Sequence, residues 1–103
     1  MLPHPITALK QGAAYWGVYV VVAKPNSPKL EAGREQLGSV GVKAVPGSLA
    51  CDQGAAKELG VVDDGSLFGV AAYFATKAEA EAFAGALDPA PVGVARIRIF
   101  CAD

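Results

Sequence analysis

The sequence predicts an α+β domain built in a βαββαβ order, and three observations carry that prediction. Two runs rich in Val, Ala and Tyr echo each other, Gly17-Val18-Tyr19-Val20-Val21-Val22-Ala23 and Gly69-Val70-Ala71-Ala72-Tyr73-Phe74-Ala75. Each is followed by a helix-like stretch, ending at Leu37 or Leu87, and then by a second apolar run that begins at Gly41 or Gly93. The length, 103 residues, suits one domain with one core and no need of a metal staple. The expected organisation is an N-terminal tail over residues 1–13 and a single α+β domain over residues 14–103.

The elements follow in order. Residues 14–23 form the first strand, apolar on both faces as a central strand should be. Lys24-Pro25-Asn26 is a turn, and Ser27 before Pro28 supplies a hydroxyl cap with proline at the first helical position. Leu30, Gly33 and Leu37 then share one helix face, and Gly38 and Gly41 end the helix. The second strand is expected over residues 42–50, interrupted by Pro46, which suits an edge position. Asp52 is read as the cap of a short extra helix running to Leu59 and stopped by Gly60. Asp63-Asp64-Gly65 is a solvated turn rather than a cation site. Residues 67–74 form the third strand, and Thr76-Lys77-Ala78-Glu79 has the capping-box pattern for a helix whose stripe is Ala78, Ala82, Phe83, Ala86 and Leu87. Asp88-Pro89-Ala90-Pro91 breaks that helix. Residues 94–101 alternate as a half-buried fourth strand.

With right-handed crossovers this order closes most simply into a ferredoxin-like fold. That is a four-stranded antiparallel sheet, order 4-1-3-2, with two helices on one face and an extra short helix between strands 2 and 3. The other face is then bare. If Ile97 and Ile99 face the helices, Arg96 and Arg98 point to the bare side, joined by Tyr15, Gly17, Tyr19 and Val21 of the first strand, by Gly69, Ala71 and Tyr73 of the third and, from the second strand, by Lys43. Tyrosine rings, arginine forks and glycines together make a binding surface. Tyrosine and arginine are equally ordinary on a half-exposed sheet face that binds nothing. Trp16 belongs with the helices or at their margin.

Composition excludes several functions. The chain is 52% hydrophobic, yet no apolar run reaches the roughly 18 residues of a membrane helix, so no membrane insertion is expected. A net charge of −1 argues against nucleic acid, which calls for a basic excess. Residues 67–73 also fit the aromatic pattern of an RNA-recognition motif poorly. Two cysteines and one histidine cannot complete a four-ligand zinc site, and no glycine run has phosphate-loop spacing, so neither a metal nor another cofactor is expected. Cys51 and Cys101 are compatible with a disulfide, with two buried thiols, or with one reactive thiol. In the simplest four-stranded sheet they lie too far apart to bond, and a bridge requires residues 46–51 to leave the sheet and cross beneath it. The opening Met1-Leu2-Pro3-His4-Pro5 does not read as a signal peptide. A chain starting natively at Met1 is expected in the cytoplasm, and one cut from a longer envelope protein outside it.

The strand and helix order, the internal echo and the small size resemble SPOR domains, bacterial envelope modules, over residues 15–101. That resemblance implies binding of peptidoglycan glycan strands through the open sheet, although the helix after Cys51-Asp52-Gln53-Gly54-Ala55 departs from the short SPOR hairpin. The same Cys51-Asp52-Gln53-Gly54-Ala55 stretch, residues 86–94 and the Cys101-Ala102-Asp103 ending are similar to a small actinobacterial domain that brings no known activity.

The functional expectation is a non-catalytic binding or assembly module. Its site would be Tyr15, Tyr19, Tyr73, Arg96, Arg98 and Lys43, and its partner a peptidoglycan glycan, another protein or a second copy stacked through the sheet. The alternative is a small ferredoxin-like homodimeric enzyme, or a small-ligand-binding protein, with its pocket at the sheet face. Asp52, Arg96, Arg98 and the tyrosines are the titratable groups an enzyme would draw on, but no catalytic pair is recognisable among them.

Overall fold

The computed structural model describes residues 2–101. Met1, Ala102 and Asp103 lie outside the described residues, and with them most of the Cys101-Ala102-Asp103 ending. The chain runs β1 (Ala14–Ala23), α1 (Pro28–Ser39), β2 (Gly47–Ser48), a 3₁₀ turn (Leu49–Cys51), β3 (Asp52–Gln53), α2 (Ala55–Leu59), β4 (Phe68–Phe74), α3 (Lys77–Gly85) and β5 (Gly93–Ile99). All strand pairs are antiparallel.

Five strands in the order β2-β4-β1-β5-β3 curl into a half-barrel, which corrects the expected four-stranded ferredoxin-like sheet. The fifth strand comes from the segment read as leading into a helix. After pairing with β4 at Gly47 and Ser48, the chain crosses one sheet face through the 3₁₀ turn and pairs Asp52 and Gln53 with Ile99 and Arg98 on the opposite edge. Residues 42–50 do not make the long second strand expected of them. The Val42 N–H is drawn back to the Leu37 carbonyl at 2.9 Å, and Val42 and Ala44 pack into the layer beneath α1 and α3, so this stretch runs beside the sheet without joining it. The echo between the two halves therefore stops at their second apolar runs, a two-residue β2 against a seven-residue β5.

The central part of the sheet is buried on both faces, while Ala14, Arg96 and Arg98 stay exposed at its margin. On one, α1 and α3 cover Val18, Val21, Val70, Ala72 and Phe74 with Leu30, Leu37, Ala80, Phe83 and Leu87. On the other, Tyr15, Tyr19, Ala95, Ile97 and Ile99 lie under Leu49 and Ala55, with Ile6, Leu9, Leu59, Val61 and Leu67 closing the margins. The expected tail packs Ile6, Leu9 and Ala13 against this second layer. Its backbone is tied to the sheet by Ile6 N–H to the Tyr73 carbonyl at 2.8 Å and Gly12 N–H to the Ile99 carbonyl at 2.6 Å, and the Lys10 N–H donates to the Tyr15 hydroxyl at 2.9 Å.

Local signals explain the helices. Ser27 accepts the Lys29 N–H at 3.2 Å, with Pro28 at the first helical position of α1, and Thr76 accepts the Glu79 N–H at 3.2 Å; each satisfies a donor the helix start leaves free. The buried stripe of α3 is Ala80 and Phe83, continued by Leu87, while Ala78, Ala82 and Ala86 are exposed. A rotation of about one residue from the expected stripe lets Phe83 meet Phe74, ring centroids 5.0 Å apart. Gly54 precedes α2 and Gly60 ends it, both at positive φ; Asp52 does not cap it.

One irregularity sets which side chains face which layer. The register of β1 on β4 shifts between Tyr19 and Val21, a bulge at Val20, so Val21 enters the α1 side and Val22 the other. A Cβ on Gly33 would stand 2.5 Å from Val21 Cγ1; glycine is what lets α1 approach this bulge.

Candidate functional site

The polar centre of the molecule lies under the 3₁₀ crossover. Asp52, in β3, is the one buried charged side chain among the described residues. Its Oδ2 accepts hydrogen bonds from both the Tyr19 and the Tyr73 hydroxyls. Tyr19 stands on β1 and is 1% exposed. Its ring lies over Gly17, where a Cβ would come within 2.7 Å of Tyr19 Cε1, and beside Gly69. Tyr73, on β4, meets Tyr19 edge to face at 6.3 Å. Beside Asp52, Cys51 is bonded to Cys101 with 5.2 Å between Cα atoms, and Phe100 N–H donates to the Cys51 carbonyl at 2.9 Å. The crossover is thereby fastened to the end of β5.

Burial raises the Asp52 pKa above its ordinary value, and the two phenol donors pull it back. Burial, joined by the neighbouring carboxylate, pushes both tyrosines far above the usual phenol range. Two phenol donors share this one buried acceptor, a hydrogen-bonded node that ties β1, β3 and β4 together. No cluster of three or more His, Cys, Asp or Glu side chains among the described residues could hold a metal.

Two adjacent hollows open beside this node, sharing Leu9, Val45, Ala71 and Tyr73 in their walls. One, of about 290 Å³, lies between Leu9, Val45, Tyr73 and the Cys51–Cys101 bridge, with Asp52 in its wall. The larger, of about 550 Å³, is a slot along the outer edge of β4, walled by the His4–Leu9 side, by Gly41 to Val45, and by Ala71 and Tyr73. Its lining is mainly apolar, it contains Lys43 and His4, and no carboxylate lines it. Val45, which borders both hollows, is 78% exposed.

The residues expected on a bare sheet face are dispersed. Residues directly opposite one another in a sheet share a face, and Tyr15 is opposite Ile97 while Trp16 is opposite Arg96 and Ala14 opposite Arg98. Ile97 and Ile99 therefore side with the tyrosines, and Arg96 and Arg98 alternate to the other face, exposed at its margin. Arg98 reaches the Gly12 carbonyl at 2.9 Å. Tyr15 and Tyr19 are buried, and Tyr73 is half-buried. Lys43 stands apart from all of these, exposed at the slot. Trp16 packs at the edge of the α1–α3 layer with Lys77 Nζ 5.7 Å from its ring. Asp63 and Asp64 bind their own turn: Asp63 accepts the Gly65 N–H at 2.8 Å, and Ser66 and Lys24 hold Asp64 down at a pKa of about 2.

The sequence reading missed the acceptor role of Asp52 and the slot residues of the tail. The signal for the first was a lone carboxylate beside a cysteine and before Gly54, which reads equally as a helix cap. No protein-family model, no curated protein and no solved structure matches the chain.

Proposed function

We propose that this chain is a non-catalytic binding module whose ligand occupies the slot along the outer edge of β4. The observation that carries the reading is the slot itself: about 550 Å³, within the range of ligand pockets. Its walls come from three separate stretches of chain. With Lys43 and no acidic group in its lining, it suits a ligand with an apolar body and an anionic group. Glycan binding and self-association through a bare sheet lose the surface on which they were built, because Tyr15, Tyr19 and Tyr73 lie in a covered layer and Arg96 and Arg98 on the opposite face. The disulfide supports a placement in an oxidising, extracytoplasmic compartment.

The test is titration of the isotopically labelled protein with the apolar anion 8-anilinonaphthalene-1-sulfonate, followed by amide chemical shifts. Shifts should concentrate at residues 4–9, 41–45 and 71–73, and Lys43→Glu should weaken binding about tenfold, the factor that roughly 1.4 kcal/mol represents. Shifts scattered over the surface, or an unchanged affinity in Lys43→Glu, would overturn the reading.

A further inference from the structure

Resting on that reading of the slot, we infer that its natural occupant is an extended peptide segment of another protein, which adds a strand to β4 at Ala71 and Tyr73. The register decides which backbone groups of β4 look outward. Gly12 N–H and Val92 N–H bond the carbonyls of Ile99 and Tyr19 respectively, so Tyr15, Gly17 and Tyr19 turn their peptide groups toward β5. Trp16 and Val18 turn theirs toward Phe74 and Ala72 of β4. By the two-residue alternation, Gly69, Ala71 and Tyr73 point theirs away from β1.

Of these outward groups, Gly69 pairs with Gly47 of β2, and the Tyr73 carbonyl accepts from Ile6. Among the described residues nothing bonds the N–H or carbonyl of Ala71, or the N–H of Tyr73. An open sheet edge is a template for another strand. This one stops short because Val42 is drawn to α1, and it faces a slot rather than open surface. A guest residue opposite Ala71 exchanges both bonds, and a neighbour two positions away serves the Tyr73 N–H. Val45 offers an exposed apolar contact, and Lys43 favours a guest that carries a carboxylate.

The experiment is selection of random dodecapeptides on the disulfide-bonded chain, then N-methylation of a selected peptide one residue at a time. Methylation removes a backbone donor and leaves the side chain in place. The expected result is a loss of about tenfold at the one position whose N–H meets the Ala71 carbonyl, and little change at its two neighbours. Uniform tolerance of methylation would overturn strand addition. So would a selection that yields no peptide shifting the Ala71 and Tyr73 amides while the anilinonaphthalene anion still does; in that case the slot binds ligands but not peptides. Failure of the anion as well would remove the slot reading itself.

Discussion

Replacing Asp52 with alanine removes the acceptor that two phenol groups share, and its cost can be worked from the geometry. Each hydrogen bond to a charged partner contributes roughly 1.5–3 kcal/mol, and an orphaned buried hydroxyl costs roughly 1–3 kcal/mol. The two are alternative views of one loss. Tyr19 is 1% exposed and has no water to turn to, whereas Tyr73 is half-buried and regains part of its hydration. Removing the buried carboxylate also relieves its desolvation. The net expectation for Asp52→Ala is a loss of about 3 kcal/mol, seen in urea as a midpoint lowered by about 1–3 M at unchanged slope.

Asp52→Asn is the internal control. Both hydroxyls donate to the same oxygen, Oδ2, and one amide carbonyl has two lone pairs to accept them. Its loss should be about 1 kcal/mol. Equal losses in the two variants, or an alanine variant within about 0.5 kcal/mol of the parent, would refute the shared-acceptor node.

Reducing the Cys51–Cys101 bridge, which closes a 50-residue separation, should lower stability by about 4 kcal/mol in the chain-entropy view, measured by urea unfolding with and without reductant. Gly33→Ala forces a Cβ to 2.5 Å from Val21 Cγ1 and should cost about 1–3 kcal/mol. Gly38→Ala, in the same helix with open space around it, should gain up to about 1 kcal/mol, and thermal melts of the pair compare them directly. The folded state holds the Asp52 proton more tightly than the unfolded chain does, because burial raises its pKa. Its contribution to stability is therefore fullest below the ordinary Asp range of about 4 and declines as pH rises through the folded value. Asp52→Asn should flatten that part of the profile, and an identical profile in both proteins would contradict the assignment.

Much of the helical layer was legible because its signals are local. Ser27-Pro28 and Thr76 through Glu79 announce their helices by capping chemistry, and Leu30, Gly33 and Leu37 repeat at the helical period. The second layer was not: Ile6, Leu9 and Leu49 carry no period, and although the short helix that holds Ala55 and Leu59 was legible, the burial of all five depends on the crossover from one sheet edge to the other. The bulge at Val20 was hidden for a related reason. In a run of valines both faces have the same polarity, so a register shift leaves no trace. Asp52 illustrates a third limit, since a carboxylate just ahead of a helix has the same local signature whether it caps that helix or turns inward to two tyrosines.

Amide hydrogen exchange in the unliganded protein probes the open edge most directly. Within β4, Val70 and Ala72 turn their N–H groups toward β1 and should exchange slowly, while Ala71 and Tyr73 should exchange at least about a hundredfold faster, then slow once a selected peptide is bound. Slow exchange at Ala71 and Tyr73 in the free protein would mean that the edge of β4 is already paired, and would contradict the account.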